Sequence, residues 1–223
     1  MNSLSSVLPT PDRESIDSIK QYVEQTGTDL LACFPAPDRT SADERRGIIA
    51  RYSAVLEGNF IYWMTGAYLS VRTDQSRAII MENLHEEVRD CHPGMLRRFS
   101  TAANACPDAQ DAVAVLPNLT KVRLFIGRLD APPLIAMMAF FENFIMRFMP
   151  LLEQYAVRQG SSENEYTVVH GECDVVHSQE LFRALDEEIA AANDPRELHE
   201  YLYEGVDLLA ALIRDMAAGP AVR

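Results

Sequence analysis

Residues Leu134 to Leu152, LIAMMAFFENFIMRFMPLL, form the most apolar stretch of the chain and constrain its fold more than any other feature. A run this long and this apolar either crosses a bilayer or lies at the centre of a protein, shielded by other helices. Glu142, Asn143 and Arg147 sit near its middle, and Pro150 interrupts its end. Charged groups at that depth are costly in hydrocarbon, so a buried core helix is expected and no membrane span. The remaining sequence supplies partners of the same kind. Helical periodicity recurs from end to end, and no alternating run of β-branched residues bounded by turn residues occurs. The expected fold is all-α.

Local signals divide the chain. Pro11 and Asp12 can open a first helix towards Phe34, and Pro35-Ala36-Pro37 forces a break. Ser41, with Glu44 three residues on, has the pattern of a capping box for one long helix through Glu57 to about Val71. Asp74 is expected to cap the next helix, which ends before Pro93. Further helices are expected over Pro93 to Asn104, Leu119 to Leu129, Pro132 to Gln159, Ser162 to Ala192 and Pro195 to Ala218. The connections are too short to hold a domain boundary, so residues 1–223 read as one bundle of about seven or eight helices. The last helix, with Leu198, Leu202, Val206 and Leu209, either finishes the core or buries a homodimer interface.

Lys and Arg number 20 against 33 Asp and Glu, giving a formal charge of -13. That balance argues against nucleic acid or an anionic membrane as partner. The four cysteines, Cys33, Cys91, Cys106 and Cys173, show no CxxC or framework spacing. The N-terminus also lacks the basic and apolar blocks of a signal peptide. A cytoplasmic protein with reduced thiols is the expectation.

The informative polar groups are those embedded in apolar helices. In YTVVHGECDVVHSQELFRAL, His170, Asp174 and His177 fall within roughly 60° of one another on a helix. Val169, Val176 and Leu181 make the rest of that helix read as largely internal. Two imidazoles and a carboxylate on one line suit a first-row transition metal, or equally a buried hydrogen-bonded network. Glu142 stands alone in the core stretch and must be paired, protonated or bound to a cation. Glu57 is a single acid in RYSAVLEGNFIYWMTGAY, beside Gly58, and could hold a metal or a buried aromatic hydroxyl or indole. The fourth element, MENLHEEVRDCHPGML, holds Glu82, His85, Glu86, Glu87 and His92. Glu87 and His92 would lie about 140° apart on a straight helix, but Pro93 biases the helix to end, so the angle does not decide between ligands and a solvated acidic end. No cysteine cluster supports structural zinc.

The order of these elements resembles the heme-oxygenase-like diiron oxidases and oxygenases, in which a Glu, an N-L-x-[DE]-E motif followed by His, a second Glu and H-x3-D-x2-H succeed one another. Here they stand as Glu57, Asn83-Leu84-His85-Glu86-Glu87 with His92, Glu142, and His170, Asp174 and His177, over roughly residues 45 to 185. The resemblance implies that Glu57, Glu87 and His92 serve mostly one iron, and Glu142, His170, Asp174 and His177 mostly the other, with Glu87 bridging. Only four residues separate Glu87 from His92, where members often carry a glycine-rich insertion, so Glu86 remains an alternative to Glu87. His85 and His199 are expected to be non-ligands.

By the same resemblance the protein is expected to be an O2-activating enzyme of specialised metabolism with two Fe(II)/Fe(III) ions, O2 as co-substrate, an optional external electron donor, and neither heme nor a nucleotide cofactor. N-oxygenation, C–C cleavage, decarboxylation and nitrile formation are the reactions implied, on an amino acid or a derivative. Phe60, Trp63, Met138, Phe141 and Phe144 are the candidate pocket, and Arg89, Arg123 and Arg147 the candidates to grip a substrate carboxylate. Two other readings use the same residues. One is a metal-free enzyme resembling thiamin-salvage or quinone-cofactor-forming members of the fold, with His and Glu as acid–base groups. The other is a helical interaction module with buried polar networks. The resemblance to the diiron enzymes also implies that the second iron is readily lost and that a core helix is then disordered in crystals.

Overall fold

The computed structural model describes residues 16–192 and 201–218, and only the backbone of residues 172–175. Among the described residues there are nine α-helices and no strand: α1 (Ile16–Leu31), α2 (Ala42–Leu56), α3 (Asn59–Ser70), α4 (Asp74–Arg89), α5 (His92–Ala102), α6 (Ala109–Ile126), α7 (Ala131–Arg158), α8 (Glu165–Ala190) and α9 (Glu204–Ala218). The all-α expectation holds.

α7 carries the apolar stretch and runs through the middle of the protein. Every residue from Leu134 to Ile145 is buried, which follows from a helix with no polar face. It is long and apolar enough to cross a membrane by length and composition, yet most of it is enclosed by the bundle. α1, α2, α3, α5, α8 and α9 all pack against it, α8 most extensively. Leu202, Val206 and Leu209 are buried, so the C-terminal helix finishes the core, and its expected start at Pro195 lies outside the described residues.

Helix ends follow their capping chemistry. The Ser41 hydroxyl accepts from the Glu44 amide while the Glu44 carboxylate accepts from the Ser41 amide, the reciprocal arrangement its sequence announces. α4 is capped by Thr73 rather than by Asp74, through a bond from the Ser76 amide to the threonine hydroxyl. That corner is anchored from α8: the buried carboxylate of Glu188 accepts from the amides of Arg72 and Thr73 and from the Thr73 hydroxyl. α4 and α8 are thereby fixed against each other, and both carry polar residues of the core.

Three expectations are corrected. The single helix expected from Ser41 to Val71 is two, because Gly58 adopts φ 85° and Asn59 turns its side-chain amide onto the Val55 carbonyl, consuming an acceptor of the last turn. α6 starts at Ala109, well before Leu119, because Asp108 and Asp111 form a capping box. Pro117 does not break it. The proline lies on an exposed side of the helix, and Val113, one turn before it, is exposed as well. On α8, Val176 is exposed, so that helix is only partly internal.

Candidate metal centre

The chain reversal between α4 and α5 builds the first part of the site. α4 ends at Arg89, Cys91 takes the left-handed conformation at φ 56°, and α5 starts at His92 with Pro93 in its first turn. This turn replaces the straight-helix angle. It folds His92 back so that its Nδ1 lies 2.7 Å from the Glu87 Oε1, with both side chains buried.

α8 contributes His170 to the same place. Its Nδ1 lies 2.8 Å from the main-chain oxygen of Tyr166. A carbonyl can only accept, so Nδ1 carries the proton and Nε2 keeps its lone pair. One ligand atom from each of Glu87, His92 and His170 lies within 4.8 Å of the other two, and all three residues are buried. The His92 and His170 rings meet edge to face, with centroids 4.6 Å apart.

Burial pushes the His170 imidazole down to about 4, outweighing the nearby Glu87 carboxylate, so the ring is neutral near pH 7. His92 goes the other way. Burial lowers it, but the hydrogen bond and charge of Glu87, with Asp90 and Glu86 behind, raise it on balance. A buried carboxylate hydrogen-bonded to one imidazole, beside a second and neutral imidazole, is an arrangement in which a divalent cation can replace a proton.

A cavity of about 20 Å3 adjoins these groups, walled by Leu56, Phe60, Leu96, Phe141 and Ile145, with Glu142 on its surface. Of the aromatic and Met candidates, Phe60 and Phe141 line it. Trp63 packs behind them, 5.5 Å from the Phe141 ring, and Phe144 stacks on Phe148. Met138 is buried and is not on the cavity wall. Tyr166 also lines the cavity and went unnoticed in the sequence, although its position four residues before His170 puts it on the same helix face.

The other predicted residues are placed as follows. Glu142 is 3 % exposed, inside the bundle. His177 is buried on α8, with its Nε2 2.7 Å from Oε2 of Glu86, so Glu86 faces His177 while Glu87 faces His92. The Asp174 side chain and all of His199 lie outside the described residues. His85 is exposed. Glu57 is not brought to the group: it is the C-cap of α2 and pairs with Arg97 of α5. The three candidate carboxylate grips are engaged elsewhere, Arg89 with Asp90, Arg123 with Asn59, and Arg147 with Glu24 and Thr28.

Residues 50–210 match the model of a family described as iron-containing redox enzyme, within the heme-oxygenase-like superfamily. The chain belongs to this family. No curated protein matches the sequence. In this iron-containing redox enzyme the matched span includes every described residue of the buried group. The donor set fits the metal: imidazole and carboxylate are ordinary iron ligands, His170 is held in the tautomer that frees Nε2, and Glu87 and His92 share a proton that a cation can displace.

Proposed function

We propose that the protein is an O2-activating non-heme diiron oxidase or oxygenase acting on a small amino-acid-derived substrate in natural-product biosynthesis. The observation that carries this reading is the buried group of Glu87, His92 and His170. Glu142 on the adjoining cavity wall and the pairing of Glu86 with His177 put further donors on α4, α7 and α8, which supports a second ion. In this reading Glu87 and His92 hold mostly one iron, and Glu142, His170, Asp174 and His177 mostly the other, while Glu57 stays with Arg97.

Iron, when bound, supplies the electron transfers that reduce O2. The chain supplies the rest. The Tyr166 carbonyl keeps the His170 Nδ1 proton in place, and Glu87 holds the His92 proton until a cation takes its place. Leu56, Phe60, Phe141 and Ile145 keep bulk water from the reacting groups. A cavity of about 20 Å3 has room for a molecule the size of water, so an amino-acid-sized substrate must displace part of that apolar wall.

Oxygen uptake by the iron-loaded protein tests the proposal. Amino acids and their N-substituted and decarboxylated derivatives are screened one at a time. A subset that accelerates uptake with matching loss of substrate is expected. Uptake that no candidate changes would sink the oxygenase reading.

A further inference from the structure

We infer that Tyr52, acting through Tyr166, is a positioning residue that sets the His170 imidazole for metal binding; this rests on the metal-centre reading above. His170 is held at three places. Its Nδ1 proton goes to the Tyr166 carbonyl at 2.8 Å. Its ring lies against the Tyr166 ring, with centroids 4.1 Å apart and planes inclined by 38°. On another side it meets the His92 ring at 4.6 Å.

The His92 ring comes from α5, and the Tyr166 ring is tied in turn to α2. Its hydroxyl lies 2.7 Å from the hydroxyl of Tyr52, which projects from α2, and both residues are buried. The surroundings of the pair are aromatic: Tyr52 packs on Phe148 at 5.7 Å and Tyr166 on Phe99 at 5.9 Å. Both hydroxyls are removed from water, and the bond between them offsets part of that cost. The hydrogen bond between them fixes the ring that backs His170.

The chemical consequence concerns one nitrogen. An imidazole that rotates, or that moves its proton to Nε2, offers no lone pair to a cation at that position. Outer partners of a ligating histidine are worth tens of fold in metal affinity. The bond between Tyr52 and Tyr166 acts one step further out, by limiting the swing of the ring against which the imidazole rests.

The test uses Tyr52→Phe, Tyr166→Phe, the double variant, and Tyr155→Phe as a structural control. Tyr155 is buried and donates its hydroxyl to the Pro35 carbonyl, about 20 Å along α7 from Glu142. Two quantities are read: the tautomer of His170 in metal-free protein by ring-nitrogen NMR, and Co(II) affinity by absorption. We expect the wild type to show the Nδ1–H form. Tyr52→Phe and Tyr166→Phe should each mix in the other tautomer and weaken Co(II) binding by about tenfold. The double variant should be no worse than the poorer single one, because one bond is removed in all three. Tyr155→Phe should lower thermal stability and leave Co(II) affinity unchanged. Wild-type tautomer and affinity in both single variants would overturn the inference, as would a loss in Tyr155→Phe equal to theirs. Failure of the wild type to bind Co(II) would instead overturn the metal-centre reading, with the tautomer measurement still deciding whether Tyr52 sets the ring.

Discussion

Replacing Glu87 by Gln separates the metal role of this carboxylate from its structural one. The amide has the same size and its oxygen can still accept from the His92 Nδ1, now 2.7 Å from Oε1 of a charged partner. What disappears is the charge of Glu87, which with its hydrogen bond does most to raise His92 against its burial. The metal-free cost is the difference between a charge-assisted and a neutral hydrogen bond, about 1 to 2 kcal/mol. The cost with metal is larger, because a neutral amide is a poor substitute for a ligating carboxylate. At free Co(II) about 1,000 times the wild-type Kd, binding adds about 4.1 kcal/mol to stability. An affinity roughly a hundredfold weaker leaves the same concentration at about ten times Kd, where the increment is about 1.4 kcal/mol. Anaerobic urea unfolding with and without Co(II) measures both increments. Equal stabilisation of the two proteins by Co(II) would refute the assignment of Glu87 as a ligand.

Three further outcomes follow from the geometry. His170 in metal-free protein should titrate near pH 4, followed by NMR: burial refuses a proton that the unfolded chain accepts, so this site's contribution to stability falls as pH drops from about 6.5 to about 4. A titration near that of an ordinary imidazole would contradict the burial. Glu188→Ala should cost about 3 to 4 kcal/mol in urea unfolding, since the amides of Arg72 and Thr73 lose their shared acceptor; a loss below about 1 kcal/mol would show that the corner is held otherwise. Gly58→Ala should destabilise by roughly 1 kcal/mol, because φ 85° strains any side chain although no atom lies within 4 Å of the new Cβ. Were α2 and α3 one continuous helix, the same change would stabilise by about as much, so the sign decides.

The fold was legible where the sequence carries local chemistry. The core helix is apparent from a stretch with no polar face, and the start of α2 from Ser41 and Glu44, because both depend on neighbours within a turn or two. Its misreadings have physical causes. The helix expected from Leu119 starts at Ala109, with Pro117 tolerated on an exposed side, and the helix expected to run on to Val71 is divided where Gly58 makes a left-handed turn. In the candidate site, His170 and Glu142 stood out as polar residues among apolar neighbours, whereas the approach of His92 to Glu87 depends on Cys91 adopting φ 56°. No residue type announces that conformation in a cysteine. The position of Glu57 depends on Arg97, forty residues on in the chain, and that separation is outside the reach of periodicity. Pocket lining was half visible for the same reason: Phe60 and Phe141 share an aromatic cluster with Trp63, and which ring faces the cavity is decided by packing between helices.

The most direct measurement is the iron content of protein loaded anaerobically with Fe(II) and freed of unbound metal, for the wild type and Glu87→Gln side by side. We predict about two iron ions per chain in the wild type, by analogy with carboxylate–histidine diiron bundles, and a clear loss in the variant. A wild-type content of one ion or fewer, or equal content in the two proteins, would contradict a diiron centre built around Glu87, His92 and His170.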